Sequence, residues 1–561
     1  MASVPKIELI KKAKNPLDIL EDIRRYAQLG HASIDPDDLE GRFRWFGLYT
    51  QRPPEEGFFM LRIKIPGGQL TAEQLERVAL IAERYGRGLL DITDRQNVQF
   101  HWVRIEHVPT IFDLLAEVGI TTLGACGDTV RNIIGCPMAG IDAEEILDAG
   151  PVVRAATAHF VGNKAFSDLP RKYKISIAGC RHQCTHPEIN DVALVGVIHD
   201  GVPGFDLWVG GGLGTVPRFA QRLGAFVRPE EAVEVLHHVT AVYRDHGCRT
   251  NRLKARIKFL IADWGPARFR EAVEASLGRK LTDGPPAPAA TDPLRDHVGV
   301  TPQHTPGLYA VGAATLRGRM EAAQARAVAE LARTHASGRL RTTTLQNLIV
   351  LDVPEGRVDA VVRGLEAQGL AVHRRAYRAR TMACTGIQFC KLAVAETKEK
   401  AREIVLHLEQ ALPDLDEPIN INVTGCPNSC TRYQLADIGL LGSQVKVPGG
   451  EPQPAYQVYL GGRGGEGRRF GRHLKRRVLA DELAGYIERV IRQYLAERRP
   501  GERFGDYVGR LDAAALEQLG VQGPEPALEV LTPGGADAPT DGPIPMAAAA
   551  AGGRAHDDIG E

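Results

Sequence analysis

Cys384 and Cys390 in TMACTGIQFCK, with Cys426 and Cys430 in TGCPNSCTR, make a C-x5-C pair and a C-x3-C pair. Four of the nine cysteines thus fall in two tight clusters flanked by small residues and, in the second, by Gly425 and Pro427. Such loops let several sulfurs converge on one soft metal centre. Structural zinc more often uses C-x2-C or C-x4-C knuckles and recruits histidine. The spacing therefore favours a four-thiolate iron–sulfur cluster over zinc, with inert buried thiols or a disulfide as the remaining readings.

The second pair lies in an internal repeat. GCRHQCTHPEINDVALVG at 179–196 aligns without a gap on GCPNSCTRYQLADIGLLG at 425–442, so that Gly179, Cys180, Cys184, Thr185, Asp191 and Gly196 face Gly425, Cys426, Cys430, Thr431, Asp437 and Gly442. A glycine-rich segment follows each copy, and upstream Thr93, Gln96 and Asn97 match Thr343, Gln346 and Asn347. Ala125-Cys126 likewise matches Ala383-Cys384. The chain is a duplicated module.

The elements that must hold these turns read as strand, helix, strand. FMLRIKI, LTAEQLERVALIAERYG and NVQFHWVRI switch from β-branched and aromatic runs to three-and-four apolar spacing and back. That order, repeated with antiparallel closure, predicts an α+β fold with two ferredoxin-like half-domains facing each other.

The copies differ in charge. Arg95 stands where the second copy has Leu345, and Arg131 follows Cys126 near the point where the second copy has placed Cys390. The first copy adds Lys172 and Lys174 in LPRKYK, which a strand would point the same way. Four cations around one pocket make an anion site. Taken singly, an Arg in a turn or a K-x-K pair is more often a solvated surface feature.

At this point the motifs resemble the sirohaem-containing nitrite and sulfite reductases, from about Gly41 to Gly509. TDRQN, the Arg131 segment, LPRKYK, C-x5-C and TGCPNSC occur in that family's order. The resemblance implies two sirohaem-reductase α/β domains with pseudo-twofold symmetry beside the half-domains. It implies a [4Fe-4S] cluster on Cys384, Cys390, Cys426 and Cys430, with Cys430 also the axial ligand of sirohaem iron through a shared sulfur. Arg95, Arg131, Lys172 and Lys174 would line the open face of the sirohaem. Lysine at 174 points to sulfite over nitrite, because sulfite carries more negative charge near neutral pH. Reduced ferredoxin is the expected donor, since no G-x-G-x-x-G follows a strand with an acidic residue in register and no flavin module is evident.

Sirohaem's carboxylates call for further cations. Arg252, Lys254, Arg256 and Lys258, with Arg317 and Arg319, are the candidates, and Asn428 could donate to the macrocycle. A solvated amphipathic helix over 251–265 is the plainer reading of the first four. The basic run RRFGRHLKRRV at 468–478 would suit an acidic ferredoxin or simply form a helix face, and zero net charge argues against nucleic acid as the main partner. Cys126, Cys136, Cys180 and Cys184 read as relics of duplication or buried thiols, the family pattern assigning one cluster per chain. Some relatives carry a tyrosine–cysteine thioether at the place of Cys126, for which Tyr49 is a candidate partner.

With 43% hydrophobic and 25% charged residues, 561 residues can bury more than one core. The expected domains are an N-terminal extension (1–40), a first half-domain (41–120), a first sirohaem- and substrate-binding domain (121–282) and a linker (283–295). A second half-domain (296–372), a second domain with the cluster and axial ligand (373–510), and a largely disordered tail (511–561) complete the chain. Neither a signal segment nor a membrane span is evident, and reduced metal-binding cysteines suit the cytoplasm. A non-catalytic iron–sulfur or sirohaem carrier is the alternative of another class. It would have no need of the four cations.

Overall fold

The computed structural model describes residues 4–373, 377–415, 417–446, 450–522 and 528–531. They form two compact units, Met1–Arg380 with Gly464–Arg468, and Thr381–Arg463 with Arg469–Glu561.

In the first unit each ferredoxin-like half lends a strand to the other. Leu48–Thr50, Phe59–Ile63, Val98–Val103 and Leu89–Ile92 form an antiparallel sheet completed by Arg319–Glu321, which pairs with Leu89–Ile92. Reciprocally, Gln69–Thr71 completes the sheet of Gly299–Pro302, Leu308–Ala313, Leu348–Pro354 and Arg339–Thr342. The exchange passes through Gly68, which has φ +69° and where a Cβ would lie 2.2 Å from the Thr342 carbonyl oxygen. Only glycine fits that crossing. Helices Ala72–Tyr85 and Ala322–His335 pack against each other, and the Thr71–Gln74 capping box starts the former. Alanines 79, 82, 325, 329 and 332 are fully buried, so little side-chain volume keeps the helices apart.

A mixed sheet follows in the same unit. Ile134–Gly135, Ile175–Ala178 and Val192–His199 run parallel, and Val202–Val209, Gln221–Val227 and Thr282–Asp283 continue antiparallel. Helices Gly150–Phe160, Ala232–His246 and Ile257–Leu277 share its core. The second unit repeats the pattern, with Thr381–Ala383, Ile421–Thr424 and Ile438–Lys446 parallel and Pro452–Leu460 and Arg472–Leu479 antiparallel.

The duplication is visible atom by atom. A Cβ on Gly196 would meet the Gly179 carbonyl oxygen at 3.0 Å, and one on Gly442 would meet that of Gly425 at 3.1 Å. Asn97 and Asn347 accept from the backbone N–H of Ile65 and Thr315 at 3.1 Å each. Gln183 and His186 have positive φ, as do their counterparts Ser429 and Arg432.

Several expectations change here. Residues 251–265 are not one helix: a short 3-10 turn, Arg252–Lys254, precedes the helix from Ile257, since Asn251 caps the turn. The basic run is largely an edge strand, Arg472–Leu479. The first residues of the expected tail are ordered, with a helix at Ala513–Gln518 and a strand at Glu529–Leu531 pairing with Ile438–Lys446. Beyond 531 that expectation lies outside the described residues. No helix among the described residues is long and apolar enough to cross a membrane.

Candidate active site

A buried cation cluster occupies the first unit. Arg95, in the turn before Val98–Val103, is 5% exposed, and its guanidinium donates to Asn190 Oδ1 (3.0 Å), the Asn132 carbonyl (2.6 Å) and the Ile175 carbonyl (3.3 Å). Burial lowers its pKa to about 10, with Asp94 acting in the other direction. Arg131 is 2% exposed and donates from Nε to the Gly127 carbonyl at 2.8 Å. Its Nη1 is buried without a hydrogen-bond partner among the described residues. A buried guanidinium nitrogen left this way is ready to meet an anion.

Lys172 and Lys174 flank Tyr173, whose bridge to Val130 and stacking on Tyr243 at 5.2 Å fix the alternation. They lie in extended chain just ahead of the Ile175–Ala178 strand rather than in it, and their side chains share the face opposite Tyr173. The Lys174 backbone N–H donates to Asp191 at 2.9 Å. Burial, then Lys172, Arg95 and Arg256, hold the Lys174 ammonium well below the usual lysine range.

Two members escaped the sequence reading, Arg62 and Lys64. Arg62 donates to Gln99 and, at 3.1 Å, to Cys126 Sγ. Lys64 donates to the Val130 carbonyl at 3.2 Å, and burial, Arg131 and Arg95 lower its pKa to about 7. The signal was present in FMLRIKI: an R-x-K alternation on a strand, where the aligned second copy has Gly312 and Ala314. Tyr49, 4% exposed, completes this corner; burial and then the Cys126 charge raise its hydroxyl pKa.

The cations expected to meet sirohaem carboxylates are engaged with the protein. Arg252 pairs with Asp128 (2.8 Å), Arg256 with Asp191 in two bonds (3.1 and 2.7 Å), and Arg319 with Asp91 in two (2.8 and 3.1 Å). Lys258 donates to the carbonyls of Leu213 (2.8 Å) and Val216 (2.7 Å), and burial lowers its pKa to about 6. Lys254 is exposed. Arg317 sits at φ +59°, the position taken by Gly67 in the first copy.

In the second unit the cysteines come from two strand ends. Cys384 follows Thr381–Ala383 and Cys426 follows Ile421–Thr424, adjacent parallel strands, while Cys390 and Cys430 close their respective turns. None of the four is in a disulfide. The Gly425 N–H donates to Cys384 Sγ at 3.3 Å, and the Thr397 hydroxyl holds the Cys384 carbonyl at 2.7 Å. Sulfurs at strand ends that accept backbone N–H bonds and lack disulfides fit thiolate ligation of iron. Asn428 occupies the same turn, and Cys426 is its one buried cysteine.

The model of the nitrite and sulphite reductase 4Fe-4S domain matches residues 126–281 and 377–519, and that of the nitrite/sulfite reductase ferredoxin-like half domain matches 51–118 and 301–368. The chain belongs to the nitrite and sulfite reductase family. It is 45% identical over 528 residues to a sulfite reductase (ferredoxin) of Mycobacterium tuberculosis, covering 90% of this chain and 94% of that one. A ferredoxin–nitrite reductase of Leptolyngbya laminosa is 36% identical over 503 residues, covering 88% and 98%. The solved structure of the Mycobacterium tuberculosis NirA protein superposes with a TM-score of 0.88 at 44% identity, covering 91% of this chain and 97% of that chain.

Proposed function

We propose that this chain is a ferredoxin-dependent sulfite reductase that takes sulfite to sulfide with six electrons. The observation that carries the reading is the buried cation cluster of Arg62, Lys64, Arg131 and Lys172 beside Arg95, with Lys174 half-buried at its edge, in a chain that also presents four thiols in the turns after paired strands.

Cys384, Cys390, Cys426 and Cys430 would hold the [4Fe-4S] cluster, with Cys430 the residue shared with sirohaem iron. When bound, the cluster and the sirohaem supply electrons to the substrate. The chain's own residues supply the rest. Arg131 Nη1, buried and aimed by the Nε bond to Gly127, binds an oxyanion oxygen. Arg95, whose terminal nitrogens are fixed by bonds to Asn190 and two carbonyls, contributes field, and its Nε is left without a partner among the described residues.

Each sulfite oxygen leaves as water and takes two protons. Lys64 Nζ, with its pKa lowered to about 7, suits proton donation near neutral pH, and burial beside Lys172 weakens the hold of Lys174 Nζ on its proton in the same direction. Lys174 adds positive charge where sulfite carries more negative charge than nitrite, and this favours sulfite. We place the protein in the cytoplasm, where ligating cysteines stay reduced.

Cofactor-loaded Lys172→Met and Lys174→Met variants test the reading against a carrier. A reductase loses turnover by at least about tenfold while its iron content and visible spectrum persist. Unchanged turnover in both variants contradicts the assignment.

A further inference from the structure

Cys136, Cys180 and Cys184 are separated by up to 48 positions yet place their sulfurs within 4.8 Å of one another, all buried. Among the described residues this is the one group of three or more cysteine, histidine or carboxylate ligand atoms drawn so close. His297 joins it: its ring is buried, and its Nε2 lies 3.4 Å from Cys184 Sγ.

We propose that Cys136, Cys180, Cys184 and His297 form a structural zinc site in the first unit, separate from the iron-binding cysteines. Three thiolates and one imidazole make an established tetrahedral zinc donor set; the C-x3-C spacing, shared with Cys426 and Cys430, does not select zinc, and the histidine does. Spacing distinguishes zinc from a cluster. Zinc–sulfur bonds of about 2.3 Å put two sulfurs of a tetrahedron about 3.8 Å apart, compatible with this group. A cubane interposes several irons between its sulfurs and spreads them farther.

The surroundings hold each donor in place. Cys136 follows the strand Ile134–Gly135. The turn of Cys180 and Cys184 is strapped by the segment after residue 283: Gln183 donates to the Pro288 carbonyl at 2.7 Å, and Thr291 N–H donates to the Arg181 carbonyl at 3.1 Å. His297 is set by Gly312, where a Cβ would come within 1.6 Å of the His297 carbonyl oxygen. Thr344 Oγ1 donates to the Cys184 carbonyl at 2.9 Å. Zinc with three thiolates and a neutral imidazole carries one net negative charge. The Arg295 guanidinium, paired with Asp142 at 3.0 Å, acts on both Cys184 and His297 and offsets it.

The second half keeps the counterparts of all three sulfurs: the strand register sets Cys136, rather than the expected Cys126, against Cys384, as Cys180 and Cys184 stand against Cys426 and Cys430, and His297 is what the first half adds. One duplicated turn thereby serves two metals. The zinc would tie the first mixed sheet to the entry of the second ferredoxin-like half at Gly299–Pro302.

The test is metal analysis of the full-length holoenzyme with zinc X-ray absorption. The expected result is about one zinc per chain in a shell of three sulfurs and one nitrogen, and at least a fivefold lower zinc-to-chain ratio in Cys180→Ser and His297→Ala with prosthetic iron unchanged. Should the variants fail to fold, the wild-type absorption spectrum still decides. A wild-type protein without zinc, zinc in an oxygen-dominated shell, extra iron in its place, or zinc undiminished in soluble variants each overturns the proposal.

Discussion

Replacing Lys64 with methionine removes one pocket cation while keeping an unbranched side chain only one atom shorter. The Lys64 ammonium is 3% exposed and faces Arg131 and Arg95, and its pKa falls from 10.5 to about 7. That fall corresponds to about 5 kcal/mol against the charged form. An incoming oxyanion offsets the penalty: a unit charge pair 4 Å apart at an effective dielectric near 20 gains about 4 kcal/mol. Losing the cation should therefore lower kcat/KM for sulfite by about two to three orders of magnitude, with prosthetic iron retained.

The pH sign follows from the direction of the shift. Lys64 is charged below about pH 7 and neutral above it, so wild-type kcat/KM should fall as pH rises through that value, and the variant should lose this limb. Nitrite stays a monoanion across the range, so a limb shared by nitrite and sulfite belongs to the protein. Stability runs the other way. The unfolded chain holds this proton up to about pH 10.5, so the buried lysine destabilises the fold progressively as pH drops from there to 7, and Lys64→Met should be the more stable protein at neutral pH. Turnover within about threefold of wild type, with the alkaline limb intact, would refute this reasoning.

Lys174→Asn should lower kcat/KM for sulfite by about tenfold or more and leave nitrite nearly unchanged, read as the ratio of the two constants in parallel assays. Asp128→Asn should cost about 3–5 kcal/mol in denaturant unfolding, because Lys11, Arg252 and Arg171 lose their shared carboxylate. The Asp128 carboxyl is held well below the usual range by Arg252 and Lys11 against burial, so its stabilisation is present at neutral pH and lost as pH falls through the acid range, and the variant should lack that dependence. Were Arg252 instead a ligand of the macrocycle, the variant would keep its stability. Cys390→Ser should lower iron per chain by the cluster's share in metal analysis.

Much of the fold was legible because duplication writes the same constraints twice. Asn97 and Asn347, or Gly196 and Gly442, are recognisable in the sequence because each performs one backbone task in both halves. The exchange of Gln69–Thr71 and Arg319–Glu321 was not legible, since a three-residue strand reads alike in either sheet and its partner is chosen through space. The cations were legible by type and not by fate. Arg256 and Arg319 meet Asp191 and Asp91, residues 65 and 228 positions away, and no local pattern distinguishes a paired arginine from one awaiting an anion. Lys64 was missed although its alternation with Arg62 matches that of Lys172 and Lys174. The grouping of Cys136 with Cys180 and Cys184 rests on adjacent parallel strands that sequence spacing does not reveal.

The most direct measurement is steady-state turnover of the cofactor-loaded protein with reduced ferredoxin, on sulfite and nitrite side by side, with sulfide and ammonia quantified. The account predicts a higher kcat/KM for sulfite and six electrons consumed for each sulfide formed. A higher constant for nitrite, or oxidation of ferredoxin without sulfide, would contradict it.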